Sequence, residues 1–282
     1  MSFFKLFPAL AFVVAGCSLK LDAGKLRLDP MGGVGASGTA ATAGAGDAES
    51  GTGGNQLATP AWSATELARL GFELLGTAEL QQGGVMLTHD VAASEAGGLV
   101  YSQPLGLAGA PLHIALGFRI QASAQPGDGM ALALHASPEG YRALGRGGGG
   151  MGYSGLTPCL SVEIDLEQQT PIDKPVPHIG FMPGCDNDVH GAFEPVRGNP
   201  SDGADWLLTI DWDPKTTLLT ASLNERDTPS NATTLSRPTD LAALLGPTAF
   251  VAITAGTGEL RAAQSVRSLQ LSGAGVATLS LP

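Results

Sequence analysis

Glu163, Asp165, Asp173 and His178 lie within sixteen residues of one another and bring together three carboxylates and one imidazole. Carboxylate oxygens suit hard cations such as calcium and manganese, and a neutral imidazole adds affinity for a transition ion. The chemistry implied is divalent-cation binding. In the stretch Val162-Glu163-Ile164-Asp165-Leu166 polar and apolar residues alternate, as along a β-strand. Side chains two apart share a strand face, so Glu163 and Asp165 project together while Val162, Ile164 and Leu166 pack on the opposite side. Asp173 and His178 then arrive from the following loop and the next strand.

The elements that position this run are nearly all β. Short apolar or alternating segments recur at 85–87, 112–120, 130–135, 160–166, 206–212, 218–223, 249–255 and 266–271. Turn residues separate them, with Asp213-Pro214-Lys215-Thr216 placed to close a hairpin. Many short strands with Gly-rich turns predict an all-β sandwich or barrel. Only 64–70 and 241–245 read as short helical turns. No repeat of 20 to 50 residues is present, which disfavours propellers and solenoids. At 282 residues, 43% hydrophobic and 15% charged, the chain has the material for one sandwich with attachments. Its net charge of −11 comes without any basic cluster, which argues against a nucleic-acid partner.

The N-terminus predicts export. Lys5 precedes an apolar run from Leu6 to Val14, followed by Ala15-Gly16-Cys17, the layout of a secretory signal. The run is shorter than the roughly 20 residues needed to span a bilayer. Its end resembles the lipobox of bacterial lipoproteins. By that resemblance residues 1–16 are the signal peptide and Cys17 carries a lipid anchor, with Ser18 favouring the outer membrane of a Gram-negative cell, on its periplasmic or surface face. The alternative is a soluble secreted protein. From 17 to 61 the composition turns to Gly, Ala, Ser and Thr, too poor in apolar area to offset the chain entropy of ordering, so this stretch is expected to be a tether. The globular domain is expected over 62–282. In an oxidising compartment Cys159 and Cys185 are expected to bridge, tying two neighbouring strands across the carboxylate run.

That run also resembles the metal site of legume-type (L-type) lectins, in which Glu-x-Asp, a loop Asp and a His-Ile-Gly follow in this order. Further segments resemble the family from about 65 to 275: Gly76-Thr77-Ala78, Val85 to Thr88, Val100 to Leu105 as the next edge, Gly127 to Ala131, Gly149 to Gly155, Trp206 to Leu223 and Phe250 to Gly258. The resemblance implies a concanavalin-like jelly-roll sandwich of antiparallel sheets that binds glycans without catalysing a reaction. It implies manganese held by Glu163, Asp165, Asp173 and His178. Asp165 and Asp173 would bridge to calcium, completed by the Glu167 backbone oxygen and Gln169. The ions would order the loops around a sugar contacted by the Asp128 carboxylate, an amide near Gly149 or Gly150, and Gln169. Gln169 stands where the family has Asn, the aromatic expected near Glu167 is missing, and the segment from Gln169 to Asp173 is one residue shorter.

Two rivals use the same residues. Glu163-Ile164-Asp165-Leu166-Glu167 also resembles the catalytic strand of laminarinase-like retaining glycoside hydrolases, with Glu163 as nucleophile and Glu167 as acid/base, about 5 to 5.5 Å apart. Against it stand 5% aromatics and 3 Trp, too few to grip a glucan chain. A purely structural sandwich without ligands is the other. Asp186, Asn187, Asp188 and His190 form a second polar cluster, expected to be a solvated loop, with an auxiliary cation site as the alternative. His89, His113 and His135 are expected to be surface or satisfied core histidines. No Gly-x-Ser-x-Gly elbow, phosphate loop or Cys-x-x-Cys pair supports other chemistry.

Overall fold

A computed structural model describes residues 62–122, 125–167 and 174–282. The expectations for the signal, Cys17 and the tether, and those for Gln169 and Asp173, lie outside the described residues. Helix α1 (Ala64–Leu70) begins where the Ser63 hydroxyl accepts from the Glu66 amide at 3.1 Å and ends at Gly71, whose φ of 80° suits glycine. The chain then runs through β1 (Phe72–Gly76), β2 (Glu79–Gln81), β3 (Gly84–Thr88), β4 (Ala96–Gly106), β5 (Leu112–Gln121), β6 (Gly129–His135), β7 (Cys159–Asp165) and β8 (His178–Pro183). It continues with β9 (Ala192–Pro195), β10 (Asp202–Asp213), β11 (Leu218–Glu225), β12 (Thr233–Pro238), helix α2 (Leu241–Leu245), β13 (Thr248–Gly256), β14 (Ala263–Gly273) and β15 (Val276–Leu281). Among the described residues no helix is long and apolar enough to cross a membrane.

Two antiparallel sheets face each other. One has the order β1-β4-β13-β6-β7-β8-β9, the other β12-β11-β10-β5-β14-β3-β2 with β15 on β14. Neighbours distant in sequence, such as β4 beside β13, make this a jelly-roll sandwich, the expected all-β class. The eight apolar segments fall in strands, Leu166 alone lying one residue past the end of β7, and both helical turns form. Asp213 closes the β10–β11 hairpin, its carboxylate accepting from the Lys215 amide at 2.9 Å. One placement differs: the segment 100–105, read as an edge, lies in β4 between β1 and β13. Its Val100 and Tyr101, which point to opposite faces, are both buried, while Gln103 and Pro104 are exposed. The polar edge strand β12 escaped detection because Arg237 and Pro238 break its alternation, as edge strands commonly do.

The main core lies between the sheets, where Phe118, Leu132, Val162, Ile164 and Phe181 meet. Phe118 and Phe181 are fully buried there, each contributing about 3 kcal/mol in transfer free energy. A second apolar cluster covers the outer face of the seven-stranded sheet. There Met151, Tyr153 and Leu156, from the segment between β6 and β7, pack on Ala131, Ala133 and Met182. The alternation in β7 thus places Val162 and Ile164 in the main core and Cys159 under this cover. Cys159 and Cys185 form the expected disulfide, tying the start of β7 to the end of β8.

His89 and His113 are satisfied by carboxylates, whereas His135 is a core histidine satisfied at one nitrogen only, its Nε2 being buried without a hydrogen-bond partner among the described residues. His113 pairs with Asp211 at 2.7 Å, and His89 sits between Glu95 at 2.9 Å and Glu79 at 3.1 Å. His135 is fully buried beside Phe250, its Nδ1 accepting from the Ser137 amide, and burial pushes its pKa down to about 4. Because the folded value lies below the unfolded value of about 6.5, this group's contribution is fully present above pH 6.5 and is lost as pH falls towards 4, by up to about 3 kcal/mol. Urea unfolding of the wild type and His135→Leu at several pH values checks this: the variant's stability should fall less steeply between pH 6.5 and 4. Equal slopes would refute it.

Candidate functional site

Glu163 projects from the middle of β7 away from the main core, and the covering segment seals it. The Tyr153 hydroxyl donates to Glu163 Oε2 at 2.5 Å, and Glu163 is 1% exposed. Its other oxygen, Oε1, lies 3.3 Å from His178 Nε2 and 3.0 Å from His190 Nε2. The two imidazole nitrogens are 2.9 Å apart. His178 enters from the neighbouring strand, where it pairs in register with Asp165. Asp165 Oδ2 stands 3.9 Å from His178 Nε2, while Oδ1 accepts from the Glu167 amide at 3.0 Å.

Burial works against the Glu163 charge, but the imidazoles of His178 and His190 and the Tyr153 hydroxyl beside it outweigh this and hold the carboxyl below the usual range. Burial and the Glu163 charge push the Tyr153 phenol well above its usual range, so it remains a donor. Gly180, opposite Glu163 in register, explains the glycine of His-Ile-Gly. A Cβ there would lie 3.0 Å from Glu163 Oε1 and 3.2 Å from the His190 ring. The missing side chain is the space in which these groups meet.

Glu163, Asp165 and His178 therefore converge as the sequence predicts. His190 corrects the expectation of a solvated loop: its side chain is 6% exposed and belongs to the cluster. The loop carrying it is fixed at Cys185 by the disulfide and near its end by the Gly191 amide, which donates to Phe181 O at 2.7 Å. One signal was legible, a histidine shortly after a cysteine already expected to bridge to the carboxylate strand. The donor atoms of Glu163, His178 and His190 lie within 4.8 Å of one another, and a nitrogen and oxygen set of this kind fits a transition ion. For calcium, Asp165 and the Glu167 backbone are described, and Glu167 follows the end of β7 half-buried.

Of the residues assigned to the sugar, the described ones, Asp128, Gly149 and Gly150, sit at the same end of the sheet. Asp128 immediately precedes β6 and its carbonyl accepts from the Leu166 amide at 2.8 Å, which fixes it beside the carboxylate strand. Its carboxylate is close to Gly258, where a Cβ would approach Oδ2 to 3.2 Å, and Asp128 is only 1% exposed. The glycine loop folds tightly: the Gly150 amide donates to Gly147 O at 3.2 Å, leaving Gly149 as the remaining amide of the two. Gly149 and Gly150 border a polar cleft with Arg146, Asn187 and Asp188. Asn187 reaches this loop directly, accepting from Ser154 Oγ at 2.9 Å. Asp128 does not border this cleft.

The model of the legume lectin domain matches residues 65–279. The chain belongs to the legume lectin domain family. Solved structures agree on the fold of this legume lectin domain. The Bauhinia forficata lectin in complex with GalNAc aligns with a TM-score of 0.64 at 22% identity, over 72% of this chain and 92% of that one. Peanut lectin with a nine-residue peptide aligns with a TM-score of 0.65 at 20% identity, over 79% and 97%. Griffonia simplicifolia lectin I-B4 in its metal-free form gives 0.61 at 23% identity, over 72% and 93%. Among curated proteins none matches the chain. The hydrolase rival needs Glu163 open to a glucan and Glu167 beside it on one strand. In this legume lectin domain Glu163 is sealed under Tyr153 and β7 ends at Asp165.

Proposed function

We propose that the chain is a lipid-anchored carbohydrate-binding protein in which calcium and a transition ion order the sugar-binding loops. The observation that carries this is the meeting of Glu163, Asp165 and His178 beneath the glycine loop of a legume lectin domain. Glu163, Asp165, Asp173 and His178 hold the transition ion, and Asp165, Asp173, Glu167 and Gln169 hold calcium. Asp128, the amide of Gly149 or Gly150, and Gln169 contact the sugar. The partner is a glycan; similar lectins were solved with GalNAc and with the Tn-antigen. Cys17 anchors the protein to the bacterial outer membrane through the tether 17–61.

A glycan array probed with EDTA-stripped protein, with and without calcium and manganese, tests this reading. Binding should require the ions and be lost in Asp128→Asn, and labelled palmitate should enter the wild type but not Cys17→Ala. Ion-independent binding, or binding untouched by Asp128→Asn, would refute the site. The deep burial of Asp128 favours one alternative, a sandwich without a sugar ligand, and an array silent under all conditions would select it.

A further inference from the structure

Three ligand-capable atoms, Glu163 Oε1, His178 Nε2 and His190 Nε2, form a triangle with edges of 2.9, 3.0 and 3.3 Å. Protons alone serve this triangle poorly. If both Nε2 atoms carried hydrogens they would oppose each other across 2.9 Å. If only one did, the other nitrogen's lone pair would face the Glu163 carboxylate at one edge of the triangle. A single cation capping the face satisfies all three edges together. Bonds of about 2.1 Å separate neighbouring ligand atoms by about 3.0 Å in octahedral geometry and about 3.4 Å in tetrahedral geometry, the range these edges span.

Resting on the cation site of the proposed function, we propose that His190 is a direct ligand of that ion, making the site one of two imidazoles and carboxylate that selects zinc, nickel or cobalt(II) over manganese. The set implied by the family resemblance has one imidazole among carboxylates, which suits manganese. A second imidazole in place of water or carboxylate oxygen moves preference towards the borderline ions. The surroundings are built to deliver it. Cys185, 1% exposed and disulfide-bonded to β7, fixes the start of the loop, and Asn187 is held by Ser154. Gly180 leaves room for the ring, and Phe193 packs edge-on against both imidazoles at 5.9 and 6.0 Å, fixing their planes.

Calorimetric titration of EDTA-stripped wild type, His190→Gln and His178→Gln with zinc and with manganese, together with EPR of the copper(II)-loaded proteins, tests the assignment. His190→Gln should lower zinc affinity by at least the roughly 10- to 100-fold that loss of an outer partner costs, and manganese affinity by much less. The copper spectrum should show two coupled imidazole nitrogens in the wild type and one in the variant. Wild-type zinc affinity in His190→Gln, or one nitrogen in both spectra, overturns the role of His190; loss of binding in His178→Gln then leaves the cation site standing. If wild-type protein binds neither ion, the cation site and this inference fail together. Near-UV circular dichroism confirms the fold of each variant, and His190→Asn is the second variant if Gln perturbs it.

Discussion

Glu163→Gln is expected to abolish most of the stabilisation that a transition ion confers, while leaving the sandwich folded. The carboxylate contacts Tyr153, His178 and His190 together. An ion present at 1,000 times its Kd stabilises the native state by about 4.1 kcal/mol by mass action. For a domain of this size that corresponds to a rise in Tm of about 8 to 16 °C. The amide keeps the shape but removes the charge. A hundredfold loss of affinity would leave about 1.4 kcal/mol, or about 3 to 6 °C, at the same ion concentration. Without ion the variant should lose about 1 to 3 kcal/mol, because the buried Tyr153 hydroxyl exchanges a charged acceptor for a neutral one. Thermal unfolding of both proteins, EDTA-stripped and reloaded, measures each quantity. An ion-induced rise in Tm as large in Glu163→Gln as in the wild type would place the ion elsewhere.

Much of this site was legible because strand alternation is a strong local rule. Glu163 and Asp165 had to share a face, and the apolar residues between them fixed which face was the core. His178 followed as the partner on the next strand, and the register Asp165 to His178 is what that argument needs. His190 was not legible in the same way. It lies in irregular chain after β8, and its inward direction depends on a disulfide, a backbone bond and the empty place at Gly180, none of which has a period. Asp128 shows the opposite limit. The sequence located it at the mouth of β6, but its burial depends on Gly258 and the packing of a loop distant in sequence. The misplaced edge at β4 has the same origin: its neighbour β13 is remote in the chain, so no local pattern could reveal that both sides are covered.

Removing the disulfide should have the second large effect, on stability and on the ion together. Cys159 and Cys185 are separated by 26 residues and are both essentially buried, at 0% and 1% exposure. Closing a loop of that length restricts the unfolded chain by about 3.5 kcal/mol in the chain-entropy model. The Cys159→Ser/Cys185→Ser double variant is the appropriate test, because a single replacement leaves a buried unpaired thiol able to exchange. Its Tm should fall by about 7 to 14 °C for a domain of this size. The bridge also holds the first residue of the loop that presents His190, so its loss gives that imidazole freedom that must be surrendered on ion binding. Zinc affinity should therefore drop in the double variant even at temperatures where the sandwich is fully folded. Stability within about 1 kcal/mol of wild type would show that the β7–β8 ladder already supplies the constraint, since measured disulfide contributions range from about 0 to 5 kcal/mol. Unchanged zinc affinity would show that Asn187 and the Gly191 amide suffice to hold the loop in place.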